Sequence, residues 1–192
     1  MSVDLPGFAD PVLSAQSSFR AILEAMSRPG TVQVAGSQLT PPAGLNQAAA
    51  ACLLTLVDAD TNLHLDETFA AARDWVAFHC GSPFAPGIGD ADFVLASALP
   101  DLALLAAGTD DGPQDGATII LQVAAFGRGQ AILIAGPGLK APASLAVDGL
   151  PADFPAIWAE NHQRFPRGVD LILCAGDRLV ALPRSLHVMK EA

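Results

Sequence analysis

Four histidines, three cysteines and two lysines are the side chains of this sequence best suited to acid–base, nucleophilic or metal chemistry. His79 falls on the apolar face of a helical stretch and reads as a satisfied core or cap histidine before a catalytic base. Its neighbour Cys80 does not complete a thiol–imidazole dyad, because adjacent helical residues point about 100° apart. His64 shares a strand face with Asn62 and Asp66, and Asp58 and Asp60 lie just before it, a set with the oxygen donors of a hard-cation site. No HxH, HExxH or CxxC spacing accompanies it, so no metal is expected. His162 and His187 have no evident partners. Lys140 falls in a turn and Lys190 in the tail, neither a setting for a buried Schiff-base lysine. Cys52, Cys80 and Cys174 sit far apart among apolar residues and read as reduced, buried thiols. No GxSxG elbow is present, so the residue types alone yield no catalytic residue, no cofactor and no metal.

Glycine supplies the other candidates. Gly136-Pro137-Gly138-Leu139-Lys140 follows a strong strand, as a phosphate loop would, and Arg128 or Arg167 could assist it in holding a triphosphate or phosphonate. It lacks the GxxxxGK[ST] and GxGxxG patterns and reads first as a tight turn. The loop Gly108–Gly116, with its three aspartates, would repel phosphate.

These groups need elements to position them. The organising stretch is a hairpin between the two glycine loops: Ala117–Val123, a turn through Phe126-Gly127-Arg128-Gly129, and Gln130–Ala135. Both runs are apolar without alternation, which predicts a strand pair covered on both faces. Asp10-Pro11 predicts a helix start, with Val12, Ala15, Phe19, Ile22 and Met26 as one apolar stripe ended by Arg28-Pro29-Gly30. Leu45–Val57 predicts an alanine-rich helix apolar all round, packed between layers or at a subunit contact. Helical patterns follow at 68–79, 100–106 and 153–164, and strand patterns at 31–34, 61–66, 92–96, 144–147, 169–174 and 179–182, the last two joined as a hairpin. The tail from Pro183 is more polar. The pattern predicts an α/β fold: a mixed sheet with helices on both faces, a three-layer sandwich.

At 192 residues, 51% hydrophobic and with a mean hydropathy of +0.39, residues 1–192 predict a single folded domain. The longest apolar run, near Ala48–Val57, is about ten residues, short of the ~18 a membrane span needs. The start of the chain reads as neither a basic nor an apolar signal, so a soluble, cytoplasmic protein is expected. A net charge of −10 argues against nucleic acid and against anionic membranes as partners.

Several segments together resemble a known family. They are Asp10-Pro11-Val12, Ser17-Ser18-Phe19-Arg20, Ala25-Met26-Ser27-Arg28-Pro29-Gly30, Leu56-Val57-Asp58-Ala59-Asp60-Thr61, Phe78-His79-Cys80-Gly81 and Asp92-Phe93. Later come Gly108-Thr109, Gly116-Ala117-Thr118, Gly136-Pro137-Gly138, Phe165-Pro166-Arg167-Gly168-Val169-Asp170-Leu171-Ile172-Leu173 and Leu182-Pro183-Arg184. In order and spacing, over roughly residues 8 to 190, these resemble the H subunits of the bacterial carbon–phosphorus lyase system, the PhnH family. Two positions depart from that pattern: Cys80 stands where threonine is usual, and Ser185-Leu186 where Thr-Thr usually follows the Pro-Arg.

The resemblance implies an accessory subunit of a cytoplasmic complex with the G, I and J subunits. With the G and I subunits and the L protein, such a subunit is needed to exchange the adenine of ATP for an alkylphosphonate, giving a ribose 1-phosphonate 5-triphosphate. Cleavage of the carbon–phosphorus bond follows at an iron–sulfur site on another subunit. The implied fold is similar to the large domain of pyridoxal-phosphate-dependent transferases without the cofactor, and the resemblance carries over no catalytic residue. Because an exposed Ala48–Leu56 helix face would be a liability, the isolated chain is expected to form a homodimer.

Overall fold

In the computed structural model of the chain, which describes residues 5–191, Asp10 and Pro11 open the first helix. Asp10 Oδ1 accepts the Leu13 N–H at 3.0 Å, and Pro11 takes the first helical position, where no amide donor is needed. This helix, α1, runs Pro11–Ser27 and is followed by the short strand β1, Gln33–Val34. Asn46 caps α2, Gln47–Leu56, by accepting the Ala49 N–H at 2.8 Å. After β2, Leu63–Leu65, a 3-10 turn leads into α3, Arg73–Cys80, which Gly81 closes in the left-handed region at φ 68°. The order is completed by β3 (Phe93–Ala96), β4 (Thr118–Gln122), β5 (Ala125–Ala135), β6 (Ala143–Asp148), α4 (Phe154–Gln163), β7 (Asp170–Ala175), β8 (Arg178–Leu182) and β9 (His187–Lys190).

Six strands form a mixed sheet in the order β1-β8-β7-β4-β3-β2. Within it β2, β3, β4 and β7 are parallel, and β8 runs antiparallel to β7 and β1. The remaining strands make a separate antiparallel sheet, β6-β5-β9. Side chains alternate across the large sheet as a period of two demands. Ile120, Ile172 and Cys174 enter a core shared with α1, α2 and α3, while Ile119, Leu121, Leu171 and Leu173 enter a second core under α4 and the small sheet. The α/β class therefore holds, but the third layer is one helix plus a sheet instead of helices alone.

The hairpin expected at the centre does not form. Ile119, Ile120 and Leu121 are wholly buried, as their unbroken run predicted, but β4 is already paired on one side with β3 and on the other with β7. A strand with two neighbours has no ladder left to offer β5. The chain leaves the large sheet at once, the Ala124 N–H bonding the Asp148 carbonyl at 2.8 Å. Phe126–Gly129 is a bulge inside β5 and not a turn: the register to β6 jumps between Phe126 and Gln130, with Gly127 and Gly129 at φ 80° and 86°. The tail after Pro183 supplies β9, which pairs with β5. The β7–β8 hairpin forms as expected.

Two helices also differ from expectation. α1 buries Ser18, Ile22 and Ala25 over α2 and β8, and turns Val12 and Phe19 outward, 76% and 49% exposed. α2 lies between layers, with Ala48 through Leu53 fully buried against α1 and the large sheet. It offers no face to a second subunit, so the reason given for self-association on that helix falls away.

Candidate functional site

His79 lies on α3 with Trp75, and one ring nitrogen of each stands close to the same acceptor. Trp75 Nε1 donates to the Leu5 carbonyl at 3.1 Å, and His79 Nε2 is 3.1 Å from the same oxygen, which requires its proton on that nitrogen. Gly7 packs on the ring so tightly that a Cβ there would sit 2.9 Å from Nδ1. His79 thus clamps the segment Leu5–Phe8 onto α3. Cys80 donates to the Leu53 carbonyl at 3.6 Å, and burial pushes its thiol up to about 12, far from a reactive thiolate. Cys174 is held well above the ordinary thiol value by burial and by its neighbour Cys52.

The acidic residues before and after β2 are spent on the backbone. Asp58 Oδ1 accepts the Asp60 N–H at 3.0 Å, and Asp92 Oδ2 accepts the Asn62 N–H at 2.7 Å. Among the described residues no three His, Cys, Asp or Glu side chains converge on a cation position. His162 and His187, which the sequence left unpartnered, meet each other with ring centroids 3.8 Å apart, and His162 Nδ1 lies 3.2 Å from the Arg184 carbonyl.

Sheets of this class bind ligands beyond the carboxyl ends of their parallel strands. Here that edge is occupied by the chain itself. The Asn46 N–H donates to Gln122 Oε1, Asn46 Nδ2 donates to the Cys174 carbonyl at 3.0 Å, and Gln122 Nε2 donates to the Gly44 carbonyl at 2.9 Å. Ala48 N–H bonds the Gly176 carbonyl at 2.9 Å, so the amides at the start of α2 have partners before any anion arrives.

Beyond β2 and β3, Asp66 takes donors from the Thr68 N–H, the Ser97 N–H and the Ser97 hydroxyl at 2.9, 3.2 and 2.8 Å. Burial acts to raise its carboxyl, but these bonds outweigh it and leave the value at about 2. A folded value below the unfolded one stabilises the protein above pH ~4 and loses that contribution as pH falls toward 2. Asp66 is partly exposed, so Asp66→Asn is expected to cost about 1 kcal/mol at neutral pH after solvent screening. In urea titrations the gap between wild type and variant should close toward pH 2.

The loop Gly136–Gly138 is the hairpin connection from β5 to β6. A Cβ on Gly138 would lie 2.3 Å from the Ser27 carbonyl, and one on Gly136 would lie 3.1 Å from Leu186, so these glycines serve close packing. Its two candidate arginines are engaged elsewhere: Arg128 faces Asp148 at 3.3 Å, and Arg167 faces Asp110 at 3.1 Å.

Two motifs of the C-terminal stretch meet in space. Arg184 Nε lies 3.2 and 3.1 Å from the two Asp170 oxygens, its Nη2 reaches Oδ2, and its backbone N–H donates to Oδ1 at 2.8 Å. Arg184 Nη1 also donates to the Pro113 carbonyl, tying the Gly108–Gly116 loop to the start of β7. Next to it, Asn161 both donates to the Val169 carbonyl and accepts the Val169 N–H, at 3.0 and 2.9 Å.

What sequence reasoning did not single out is the outer face of α1. Val12, Phe19 and Leu23 line it, with Leu13 beside them and Val32 and Val34 nearby on and before β1, all of them exposed. The available signal was Leu13 and Leu23, apolar residues that no single buried stripe could accommodate. Between α1 and the stretch Val34–Leu39 runs a groove of about 350 Å³, lined by Leu13, Ser14, Ser17, Ser18, Ser37 and Gln38 among others.

The chain is a layered α/β protein of two sheets whose first helix presents an exposed apolar face. Residues 6–189 match the model of the family described as "Bacterial phosphonate metabolism protein (PhnH)". The chain belongs to the PhnH family. It is 37% identical over 193 residues to a Rhizobium meliloti (strain 1021) protein named alpha-D-ribose 1-methylphosphonate 5-triphosphate synthase subunit PhnH, covering 96% of this chain and 94% of that one. It is 33% identical over 179 residues to the Stutzerimonas stutzeri protein HtxG, covering 90% of this chain and 85% of that one. No helix among the described residues is long and apolar enough to cross a membrane.

Proposed function

We propose that this chain is an accessory subunit of a cytoplasmic carbon–phosphorus lyase assembly that joins the ribose triphosphate of ATP to an alkylphosphonate. Its part is to hold partner subunits of the G, I and J type in a reaction that also needs the L protein, and on its own it pairs with a second copy. The observation that carries the reading is the likeness to the Rhizobium meliloti synthase subunit, which runs through almost the whole of both chains. The exposed apolar face of α1 agrees with it, since surface of that kind on a folded chain marks a contact with another protein. The implied kinship with the large domain of pyridoxal-phosphate-dependent transferases fits a fold that has given up the cofactor: Lys140 and Lys190 are both exposed, one in a hairpin loop and one on β9.

Co-expression with the G, I and J subunits tests the proposal. The expected result is a complex in which the chain co-purifies in fixed ratio, and whose conversion of ATP and methylphosphonate, with the L protein added, fails when this subunit is left out. Elution of the chain alone, with conversion unaffected by its omission, would refute it. The second reading, a triphosphate- or phosphonate-binding loop at Gly136–Gly138, has weaker support, because that loop is packed against Ser27 and Leu186.

A further inference from the structure

The turn after β8 is held down by two residues on one face of α4. Trp158 and His162 stand four positions apart, one helical turn above the other. Trp158 Nε1 donates to the Leu186 carbonyl at 3.0 Å, and His162 Nδ1 lies 3.2 Å from the Arg184 carbonyl. A carbonyl can only accept, so the second contact puts the imidazole proton on Nδ1 and leaves Nε2 with a free lone pair. Proteins ready a metal-binding histidine in this way: a backbone oxygen fixes tautomer and ring plane, and the other nitrogen is left for the ion. The carbonyl is itself anchored, because the Arg184 N–H and guanidinium are both bound to Asp170.

The anchored turn delivers His187, the first residue of β9, against His162, with ring centroids 3.8 Å apart and planes inclined by 54°. Strand geometry then adds a third donor. Side chains alternate along β9, and with Val188 buried, His187 and Met189 share its outer face. His162, His187 and Met189 line one open cavity of about 560 Å³, whose wall is otherwise apolar but for Gln163. Among the described residues no carboxylate or thiol joins the two imidazoles. Mg²⁺ and Ca²⁺ require oxygen donors, and structural Zn²⁺ takes four nitrogen, thiolate or carboxylate ligands. A thioether beside imidazole selects a softer ion, Cu(I). We propose that His162 Nε2, His187 and the Met189 sulfur bind one Cu(I) ion and so tie α4 to β9. Metal–nitrogen bonds of about 2 Å keep two ring centroids about 4.5–5 Å apart, so His187 must swing outward by roughly 1 Å. It is exposed and free to do so. A net charge of −10 favours the approach of any cation. No spacing motif announces the site, because its donors come from two elements that meet only in the folded chain.

Anaerobic calorimetry on the full chain tests this, with Cu(I) supplied as its weakly held acetonitrile complex. Wild type is expected to take up one equivalent per chain. Losing an outer partner of a metal ligand already costs about 10–100-fold in affinity, so losing a ligand, in His187→Ala or His162→Gln, should cost on the order of a hundredfold or more. Met189→Leu should cost about tenfold, the share of the soft ligand. Because His187 is exposed, His187→Ala removes a donor without touching the core, and an unchanged circular dichroism spectrum checks this. Cu(I) is diamagnetic, so NMR reports where it sits. The ring signals of His162 and His187 and the Met189 methyl signal should move on addition, while those of His64 and His79 stay in place. A wild-type chain that takes up no Cu(I) would overturn the site. An equivalent retained by His187→Ala, or shifts confined to other residues, would overturn it as well by placing the ion elsewhere.

Discussion

Arg184→Ala is expected to lower the unfolding free energy by about 3–5 kcal/mol, the range for removing one partner of a buried ion pair. The size follows from what is left behind. Asp170 is about four-fifths buried at the start of β7, and Arg184 supplies it with a forked guanidinium and a backbone N–H. Without the side chain the carboxylate keeps one donor and little water, and the Pro113 carbonyl loses its partner as well. Arg184→Lys keeps the charge but not the fork and should recover only part of the loss. Urea denaturation measures both, and an Arg184→Ala cost within half a kcal/mol of zero would show that the pair contributes nothing. The double variant Arg184→Ala with Asp170→Ala should cost less than the sum of the two single changes.

Trp158→Ala is expected to cost a similar amount, about 3–5 kcal/mol, for a different reason. The ring is fully buried beneath α4, 5.7 Å from Phe154 between centroids, and its Nε1 donates to the Leu186 carbonyl at 3.0 Å. Truncation opens a cavity in the core between the large sheet and the outer layer, and it leaves that carbonyl without a donor. Trp158→Phe separates the two effects: most of the volume remains, and the orphaned carbonyl alone should cost about 1–3 kcal/mol. Equal losses for Ala and Phe in thermal and urea unfolding would mean that packing contributes little. No loss for Phe would mean that the bond contributes little.

What could be read in the residues beforehand follows the reach of the forces involved. Asp10-Pro11 and the glycine after α3 act within one helical turn, so those helix ends were legible, while the helix expected at 100–106 shrinks to a 3-10 turn at Leu102–Leu104. Gly176-Asp177 turns the chain between two apolar runs, so the β7–β8 hairpin was legible too. Ala117–Val123 and Gln130–Ala135 look like partners because they are adjacent and similar. Their real neighbours, β3 and β7 for one and β6 and β9 for the other, are set by packing that no short window contains. Periodicity finds the apolar side of α1 but cannot say how much of it is covered, and here Ile22 went inward with Ser18 and Ala25 while Val12 and Phe19 stayed exposed. Asp170 and Arg184 stood in sequence as landmarks of the resemblance, while the bond that joins them became visible only when the β7–β8 register set Leu171 opposite Leu182.

The route of the chain through the large sheet has a consequence for how the protein comes into being. Val34 must wait for Arg178, and β4 for Asp170 and its neighbours, before the middle of the sheet exists. During synthesis the alanine-rich helix emerges early, with its greasy sides bare until the last strands leave the ribosome. Pairing over such sequence distances slows folding and leaves apolar surface exposed along the way. A nascent chain halted before β7 would have no stable half to fall back on and would need sheltering by a chaperone until its final segment arrived.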